Sequence, residues 1–284
     1  MVEVKKAQSL YFSPTGNVKK IVEAVAKGTE LPIAKTLDLT TPKQRDAWSG
    51  NYEGDLLLVG VPVYGSTFPS FILPSLKRLR GEGKLAIPIA VCGNCKMGSC
   101  LAEVSAILKK QGFTIPAAGN FIGEHSWATE DYRLGTGRPD TEDLKKAFDF
   151  GKKIAAKVKT NPSDIISIYG STLHIQCYVA GSLEAKGYTN DFRWLKPGQS
   201  DGRVIVAKTD MNHCLNCMIC VESCPVGAIN PDTLEIDDIT CLRCFQCTRI
   251  CPSNILKKQM VPNPDLSAWW KIQEKRRGEP LVFI

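Results

Sequence analysis

Apolar residues in the first 160 positions recur with strand-like and helix-like spacing in turn. Apolar runs predict five strands, at Val4–Phe12, Ile33–Leu39, Asp55–Val61, Lys84–Cys92 and Thr114–Ile122. Apolar positions three and four residues apart predict helices that start near Val18, Pro69, Ser99 and Thr141. The third strand has almost no polar alternation, as expected for a parallel strand buried on both faces. The pattern predicts an α/β fold with a five-stranded, doubly wound parallel sheet.

A short polar turn connects the first predicted strand to the first predicted helix. Its residues are Ser13-Pro14-Thr15-Gly16-Asn17. The free N–H groups at a helix N-terminus and the helix dipole both favour an anion. Ser13, Thr15 and Asn17 add side-chain donors, and Gly16 allows the backbone to approach a ligand closely. The turn is therefore either a phosphate site or an ordinary capped strand-to-helix connection.

Eight of the twelve cysteines lie in two copies of one spacing, between Cys214 and Cys251. Each copy reads Cys-x2-Cys-x2-Cys-x3-Cys-Pro, a run typical of bacterial two-cluster ferredoxins. So many cysteines in a chain without a signal peptide indicate metal or redox chemistry and not a disulfide framework. Zinc in two four-cysteine sites is the alternative, although zinc sites more often use paired Cys-x2-Cys knuckles.

The resemblance to those ferredoxins implies a small α+β domain with a crossed set of ligands, in which each run lends its fourth cysteine to the other cluster. It assigns Cys214, Cys217, Cys220 and Cys251 to one 4Fe-4S cluster. It assigns Cys241, Cys244, Cys247 and Cys224 to the second 4Fe-4S cluster. The other cysteines are predicted to be free thiols, with a metal site as the alternative: Cys92, Cys95, Cys100 and Cys177.

Three segments of residues 1–160 resemble the flavodoxin family: the Ser13–Asn17 turn, Pro62–Phe68 after the third strand, and Gly93-Asn94 after the fourth. In that family FMN lies at the carboxyl ends of the strands. The resemblance places the FMN phosphate on Ser13, Thr15, Gly16, Asn17 and Val18. It places the isoalloxazine ring against Pro62, Val63, Tyr64, Gly65, Phe68, Cys92, Gly93 and Asn94. Val18 stands where flavodoxins usually carry a hydroxyl residue, so one side-chain donor is lost there.

Aromatic residues and one histidine lie close to the predicted flavin loops. Tyr64 and Phe68 are candidates for stacking on the ring, or for packing their loop onto the sheet. The loop after the fifth strand, Gly123–Trp127, contains His125. His125 is either a catalytic proton donor to a substrate or an ordinary hydrogen-bonded loop residue. No Gly-x-Gly-x-x-Gly follows a predicted strand, so the sequence has no dinucleotide fingerprint.

The net charge of +7 is unevenly distributed. Residues 1–160 hold 23 basic and 16 acidic side chains, whereas residues 210–255 hold two basic and six acidic ones. We expect the acidic region to dock on the basic first half. No basic stripe with interleaved aromatics is present, which disfavours a nucleic-acid partner. Neither a membrane span nor a signal peptide is found, so the chain is predicted to be cytoplasmic and not bound to membranes.

The predicted organisation has four parts. These are a flavodoxin-like FMN-binding domain at 1–160, an ordered connector at 161–209, a two-cluster ferredoxin domain at 210–255 and a tail packing on the domains at 256–284. The whole chain resembles flavodoxin–ferredoxin fusion proteins of anaerobes.

This resemblance implies an iron–sulfur flavoprotein oxidoreductase that passes single electrons between two 4Fe-4S clusters and FMN. Reduced FMN would then reduce a small-molecule acceptor. A pure electron-transfer protein that serves a partner redox enzyme is the alternative, and an iron–sulfur sensor is a third hypothesis. We expect a low-potential electron donor or acceptor protein as a partner. The identity of the acceptor and the oligomeric state are open at this point.

Overall fold

The computed structural model describes residues 4–94, 98–161, 166, 204–260 and 270–284. Cys95, Cys177 and most of the predicted connector lie outside the described residues. In the described part of the chain, no helix has both the length and the apolar character needed to cross a membrane.

The first half of the chain forms one parallel sheet. Its strands are β1 (Ala7–Tyr11), β2 (Leu37–Asp38), β3 (Leu56–Pro62), β4 (Leu85–Cys92) and β5 (Ala118–Ile122). They lie side by side in the order β2-β1-β3-β4-β5, and each pair is parallel. This is the strand order of flavodoxin-like folds, with its switch point between β1 and β3. The predicted doubly wound α/β sheet is confirmed.

Helices cover both faces of this sheet: α1 (Asn17–Gly28), α2 (Pro42–Ala47), α3 (Leu73–Arg78), α4 (Cys100–Lys110) and α5 (Thr141–Thr160). Successive β3 residues face opposite cores, with Leu56 and Leu58 on the side of α1 and α5. Leu57 and Val59 face the side of α3 and α4. Both faces are therefore buried, which explains the nearly continuous apolar run in β3.

A sixth strand extends the sheet and comes from the end of the chain. This strand, β8 (Leu281–Phe283), pairs antiparallel with β5. The sequence predicted only five strands, because an apolar segment of three residues is too short to show a period. The C-terminus thus returns to the first domain after the cysteine-rich region.

The cysteine-rich region is a small α+β unit. Two strands, β6 (Val204–Lys208) and β7 (Leu256–Met260), form an antiparallel pair around two short helices, α6 (Ile219–Glu222) and α7 (Gln246–Ile250). Each helix lies within one cysteine run, contains its third cysteine and ends before its fourth. Strand β6 lies in the range that the sequence assigned to the connector, so the unit begins earlier along the chain than residue 210.

Candidate functional site

The eight cysteines of the repeated motif surround two separate cavities. Cys214, Cys217, Cys220 and Cys251 line one cavity, here called the distal cavity. Cys224, Cys241, Cys244 and Cys247 line the other, here called the proximal cavity. Each cavity therefore receives three cysteines from one run and the last cysteine from the other, which is the crossed arrangement that the ferredoxin resemblance implies.

The two cysteine loops fold alike at equivalent positions. Asn216 and Met218 flank Cys217 with positive φ of 48° and 57°, and Arg243 and Phe245 flank Cys244 with 55° and 58°. Left-handed backbone is unfavourable for such side chains and persists only where the surroundings impose it. This left-handed conformation turns each cysteine loop tightly around its cavity. Backbone N–H groups also reach the sulfurs, from Ala228 to Cys224 Sγ at 3.2 Å and from Arg243 to Cys241 Sγ at 3.4 Å.

These thiols fit an iron–sulfur cluster better than a single ion. Burial raises the pKa of Cys241 to about 11 and that of Cys247 to about 12. A cation in the cavity is therefore needed to hold both groups as thiolates. Zn–S bonds of about 2.3 Å would draw four sulfurs together around one ion and leave no cavity between them. Within the described ranges, no group of three His, Cys, Asp or Glu side chains is arranged to hold a single metal ion.

A third and larger cavity lies at the carboxyl ends of β1, β3, β4 and β5. This cavity is called the cleft below, and it opens to solvent. Nine of the residues predicted to bind FMN line it, and they lie at or after the ends of β1, β3 and β4: Thr15, Asn17, Val18, Pro62, Val63, Tyr64, Gly65, Cys92 and Gly93. The loop after β5 contributes Glu124, His125, Ser126 and Trp127. This is the switch-point position at which α/β sheets of this strand order bind ligands.

The turn between β1 and α1 forms one end of the cleft. Gly16 precedes α1 with φ of 81°, a conformation that favours glycine. The Ser13 hydroxyl accepts a hydrogen bond from Lys19 N at 3.0 Å, and the Asn17 side chain donates to Glu124 O at 3.1 Å. These two side chains hold the turn in shape, and the first N–H groups of α1 have no acceptor within the helix. The turn therefore fits a phosphate group.

Two loops at the other end of the cleft support each other. Ser99 N donates to Ser66 O at 2.8 Å, and the Ser99 hydroxyl donates to Glu103 at 2.5 Å. A Cβ on Gly98 would lie 2.1 Å from Ser66 O, so only glycine permits this approach. Phe68 packs in the core, away from the cleft lining. The loop that carries Tyr64 and Gly65 is thus anchored at the start of α4.

Asn94 connects the fourth strand to the C-terminal segment. Its amide donates to Arg276 O at 2.8 Å and to Gln273 O at 3.3 Å. Its carbonyl accepts from Gly278 N at 2.9 Å. Asn94 was predicted to flank the flavin, but its side chain holds the C-terminal segment instead.

His125 is a neutral imidazole at the edge of the cleft. Burial lowers its pKa to about 4, and the positive charge of Lys258 contributes. Trp127 N donates to His125 Nδ1 at 3.0 Å, so the ring proton of the neutral form is on Nε2. A Cβ on Gly93 would lie 2.6 Å from His125 Cα, which shows how closely the two loops approach. At neutral pH His125 can therefore donate a hydrogen bond through Nε2–H, and its bond from Trp127 N is that of a hydrogen-bonded loop residue, the second of the two roles that the sequence left open.

The proximal cavity adjoins the cleft. Tyr64 lines the cleft and packs against the hydrophobic cluster that contains Cys244. Burial raises the pKa of Tyr64, and the electrostatic effect of Cys244 raises it further. Phe245, the residue after Cys244, packs with Trp270, which also lines the cleft.

The distal cavity lies farther from the cleft and nearer the surface. It shares Ile229 and Ile236 with the proximal cavity as lining residues. Cys217 is exposed, and Leu215 beside it is 68% exposed. The proximal cavity thus lies between the cleft and the distal cavity, and the distal cavity reaches the protein surface on its other side.

Polar contacts fix the cysteine-rich unit against the first domain. Arg249, which lies between Cys247 and Cys251, forms an ion pair with Glu124 of the cleft. Arg45 donates to Pro225 O at 2.7 Å, and Lys258 Nζ donates to Ala128 O at 2.8 Å. Because Glu124 lines the cleft, the ion pair joins the predicted flavin site directly to the cysteine motif.

Trp270 was missed as a residue of the site. The sequence shows only a Trp269-Trp270 pair in a polar tail, which more often packs than binds a ligand. In the structure Trp270 is 1% exposed and lines the cleft. Nothing in the local sequence pattern indicates which distant loop it contacts.

One family model and several solved structures are similar to parts of this chain. Residues 213–255 match the family model of the 4Fe-4S dicluster domain. A flavodoxin from the domain Archaea is 20% identical, with 54% of this chain and 99% of that protein covered at a TM-score of 0.40. A WrbA-like flavodoxin from Agrobacterium tumefaciens is 15% identical, with coverages of 55% and 98% at a TM-score of 0.36.

The rubredoxin oxygen:oxidoreductase from the anaerobe Desulfovibrio gigas is 15% identical, with 54% of this chain and 36% of that protein covered at a TM-score of 0.40. The search of curated proteins gave no match. At such TM-scores the likenesses add nothing to the strand order, which identifies the flavodoxin-like fold by itself.

Proposed function

We propose that this chain, which joins a flavodoxin-like domain to a 4Fe-4S dicluster domain, is an iron–sulfur flavoprotein oxidoreductase. It passes single electrons between two 4Fe-4S clusters and FMN, and reduced FMN reduces a small acceptor. When bound, the clusters carry electrons one at a time and the flavin can collect two of them. The observation that carries the proposal is the position of Tyr64, which lines the cleft and packs against the hydrophobic cluster that includes Cys244 of the proximal cavity.

The residues of this chain hold the clusters and the flavin, shield them from water and connect the two sites. The eight cysteines of the two cavities hold the clusters in the crossed arrangement. The N-terminus of α1 binds the FMN phosphate, and the loops at Tyr64 and Gly93 enclose the ring. Tyr64, which lines the cleft, and Phe245, which lines the proximal cavity, shield the two sites from water.

The exposed side of the distal cavity is the side on which a partner protein exchanges electrons. Leu215, Met218 and Ile219 are exposed there, beside the exposed Cys217. A contiguous apolar rim of this kind favours protein contact over free solvent. The structure indicates only where a partner protein docks. Which protein docks there depends on its reduction potential and on the surface that it presents.

Anaerobic purification followed by metal, sulfide and flavin analysis tests the proposal. We expect about eight irons per chain and one FMN, with flavin reduction following cluster reduction in a reductive titration. Cys244→Ser should lower the iron content to about four per chain, whereas Cys100→Ala, a buried thiol outside the cavities, should leave it unchanged. Zinc in place of iron, or a chain that binds no flavin, would contradict the proposal.

A further inference from the structure

The C-terminal segment contributes a wall of the cleft. Trp270 lies in a helical turn over residues 270–274 and lines the cleft. Its ring meets Trp127 edge to face, with centroids 6.0 Å apart and planes at 67°. It meets Tyr132 in the same way, at 5.2 Å and 72°. Such edge-to-face contacts fix the ring of Trp270 in one orientation.

The segment that carries Trp270 is held at several points along the first domain. Arg133 N donates to Glu274 at 3.1 Å, and Asn94 binds the backbone of residues 273, 276 and 278. Arg277 then pairs with Asp140 at 2.9 Å, and β8 joins the sheet beside β5. These contacts span the whole segment, so Trp270 is positioned by it and not by its immediate neighbours alone.

Trp270 also contacts the cysteine-rich unit. It belongs to a hydrophobic cluster with Ala128 and Leu134 of the first domain and Phe245 of the second. Phe245 follows Cys244 in the chain, so the cluster connects the cleft wall to the proximal cavity. The Trp270 side chain therefore lies where the cleft, the first domain and the cysteine-rich unit meet.

The cleft needs such a wall for a flat aromatic ligand. The loop after β4 provides Cys92, Gly93 and Asn94 but no aromatic ring among its described residues, and Phe68 is packed in the core. Tyr64, Trp127 and Trp270 are the aromatic side chains that line the cleft. Two of these three are supplied by segments beyond β4, and Trp270 comes from the opposite end of the chain.

We propose that Trp270 is a positioning residue of the flavin site, so that the isoalloxazine ring is enclosed by both ends of the polypeptide. This inference rests on the proposed function, because it requires a flavin in the cleft. The C-terminal segment then has two effects: it strengthens binding of the ring, and it sets the ring's distance from the proximal cavity through Phe245.

Flavin titration of the anaerobically purified protein tests the inference, with flavin fluorescence as the readout. Trp270→Leu, which keeps apolar volume but removes the aromatic wall, should weaken FMN binding about tenfold. Riboflavin binding should weaken by the same factor, because Trp270 contacts the ring end and riboflavin lacks only the phosphate. Quenching of the bound flavin's fluorescence should also decrease, and Trp270→Phe should restore most of the affinity.

Two control variants test whether the change in flavin binding is specific to Trp270. Ile272→Ala, on the same helical turn but 58% exposed, should bind both flavins as the wild type does. Thr15→Val, in the phosphate turn, should weaken FMN binding and leave riboflavin binding unchanged. Wild-type affinity of Trp270→Leu for both flavins, or a loss confined to FMN, would overturn the inference. A wild-type protein that binds neither flavin would instead refute the proposed function.

Discussion

His125 shows how burial changes the role that a residue type suggests. The sequence left two roles open for this loop histidine, a proton donor to a substrate or an ordinary hydrogen-bonded loop residue. Burial and the charge of Lys258 lower its pKa to about 4, so the imidazole is neutral at physiological pH. Its chemistry in the cleft is therefore that of a hydrogen-bond donor through Nε2–H.

The same pKa predicts a loss of stability in acid. Between pH 6.5 and about 4 the unfolded chain protonates His125 while the folded chain does not, so stability falls as pH drops through this window. From pH 7 to pH 5 this single group should cost about 2 kcal/mol. We expect urea unfolding to show a smaller loss in His125→Gln than in the wild type. Equal losses in the two proteins would show that His125 is not buried as a neutral ring.

At the scale of elements, the N-terminus of α1 depends on one backbone conformation. Gly16 has φ of 81°, and a Cβ there would meet no atom within 4 Å. A side chain at this position therefore causes backbone strain without a clash, at a cost of roughly 1–2 kcal/mol. Because Gly16 belongs to the turn that fits the phosphate, the strain would distort that turn.

Gly16→Ala should weaken FMN binding severalfold as well as lower the melting temperature. Gly83→Ala provides a matched control, because Gly83 also has φ of 81° with open space around it but lies away from the cleft. Its stability should fall by a similar amount while its FMN affinity remains that of the wild type. Calorimetric titration with FMN and thermal unfolding measure the two effects, and equal affinities in the two variants would refute a role for the turn.

A buried ion pair joins the start of α5 to the C-terminal segment. Arg138 Nε donates to Asp143 at 2.8 Å, with side chains 5% and 0% exposed. Arg138 also donates to Gly278 O at 2.8 Å. The pair therefore secures α5 and the approach to β8 at the same point.

Asp143→Asn should destabilise the protein by about 3–5 kcal/mol, because it leaves the Arg138 charge buried without its partner. Asp149→Asn, which removes the exposed Lys145–Asp149 pair of the same helix, should change stability by less than about 0.5 kcal/mol. Chemical unfolding of the two variants at neutral pH compares them directly. A small effect of Asp143→Asn would mean that Arg138 reaches solvent.

At the scale of the whole molecule, the two units are joined by an apolar cluster and by charge. Phe245 and Trp270 pack with Ala128 and Leu134, and the Glu124–Arg249 ion pair lies beside them. The excess of basic residues in the first half and of acidic residues in 210–255 favours the same docking. Apolar packing is insensitive to salt, whereas the charge contribution is screened.

Electron transfer from the clusters to FMN should therefore slow modestly as salt is raised. Glu124→Gln should slow it further and reduce its dependence on salt, because the variant no longer pairs with Arg249. Glu53→Gln, which breaks the exposed Lys6–Glu53 pair of the first domain, serves as the control and should behave as the wild type. Stopped-flow measurement of flavin reduction after rapid reduction of the clusters gives the rate. A wild-type rate independent of salt would contradict docking by charge.

Local patterns were enough to predict most of the first domain. The buried apolar run of β3 and the apolar face of α1 each follow from the regular spacing of side chains in a strand or a helix, which is visible in the local sequence. Helix α2 was missed, although its capping box between Thr41 and Gln44 and the proline between them were visible in the sequence. Strand β8 could not be predicted, because its pairing with β5 joins residues more than 150 positions apart.

The sequence by itself determined the chemistry of the cysteines, because the fixed spacing of ligands within a short loop is what a cluster requires. It also determined the α/β architecture, because strand and helix periods are local properties. Only the tertiary structure decided that the cavity lined by Cys244 adjoins the cleft and that the cavity lined by Cys217 meets the surface. It likewise placed Trp270 in the cleft wall. Both results come from packing between residues far apart in the chain, which no local spacing encodes.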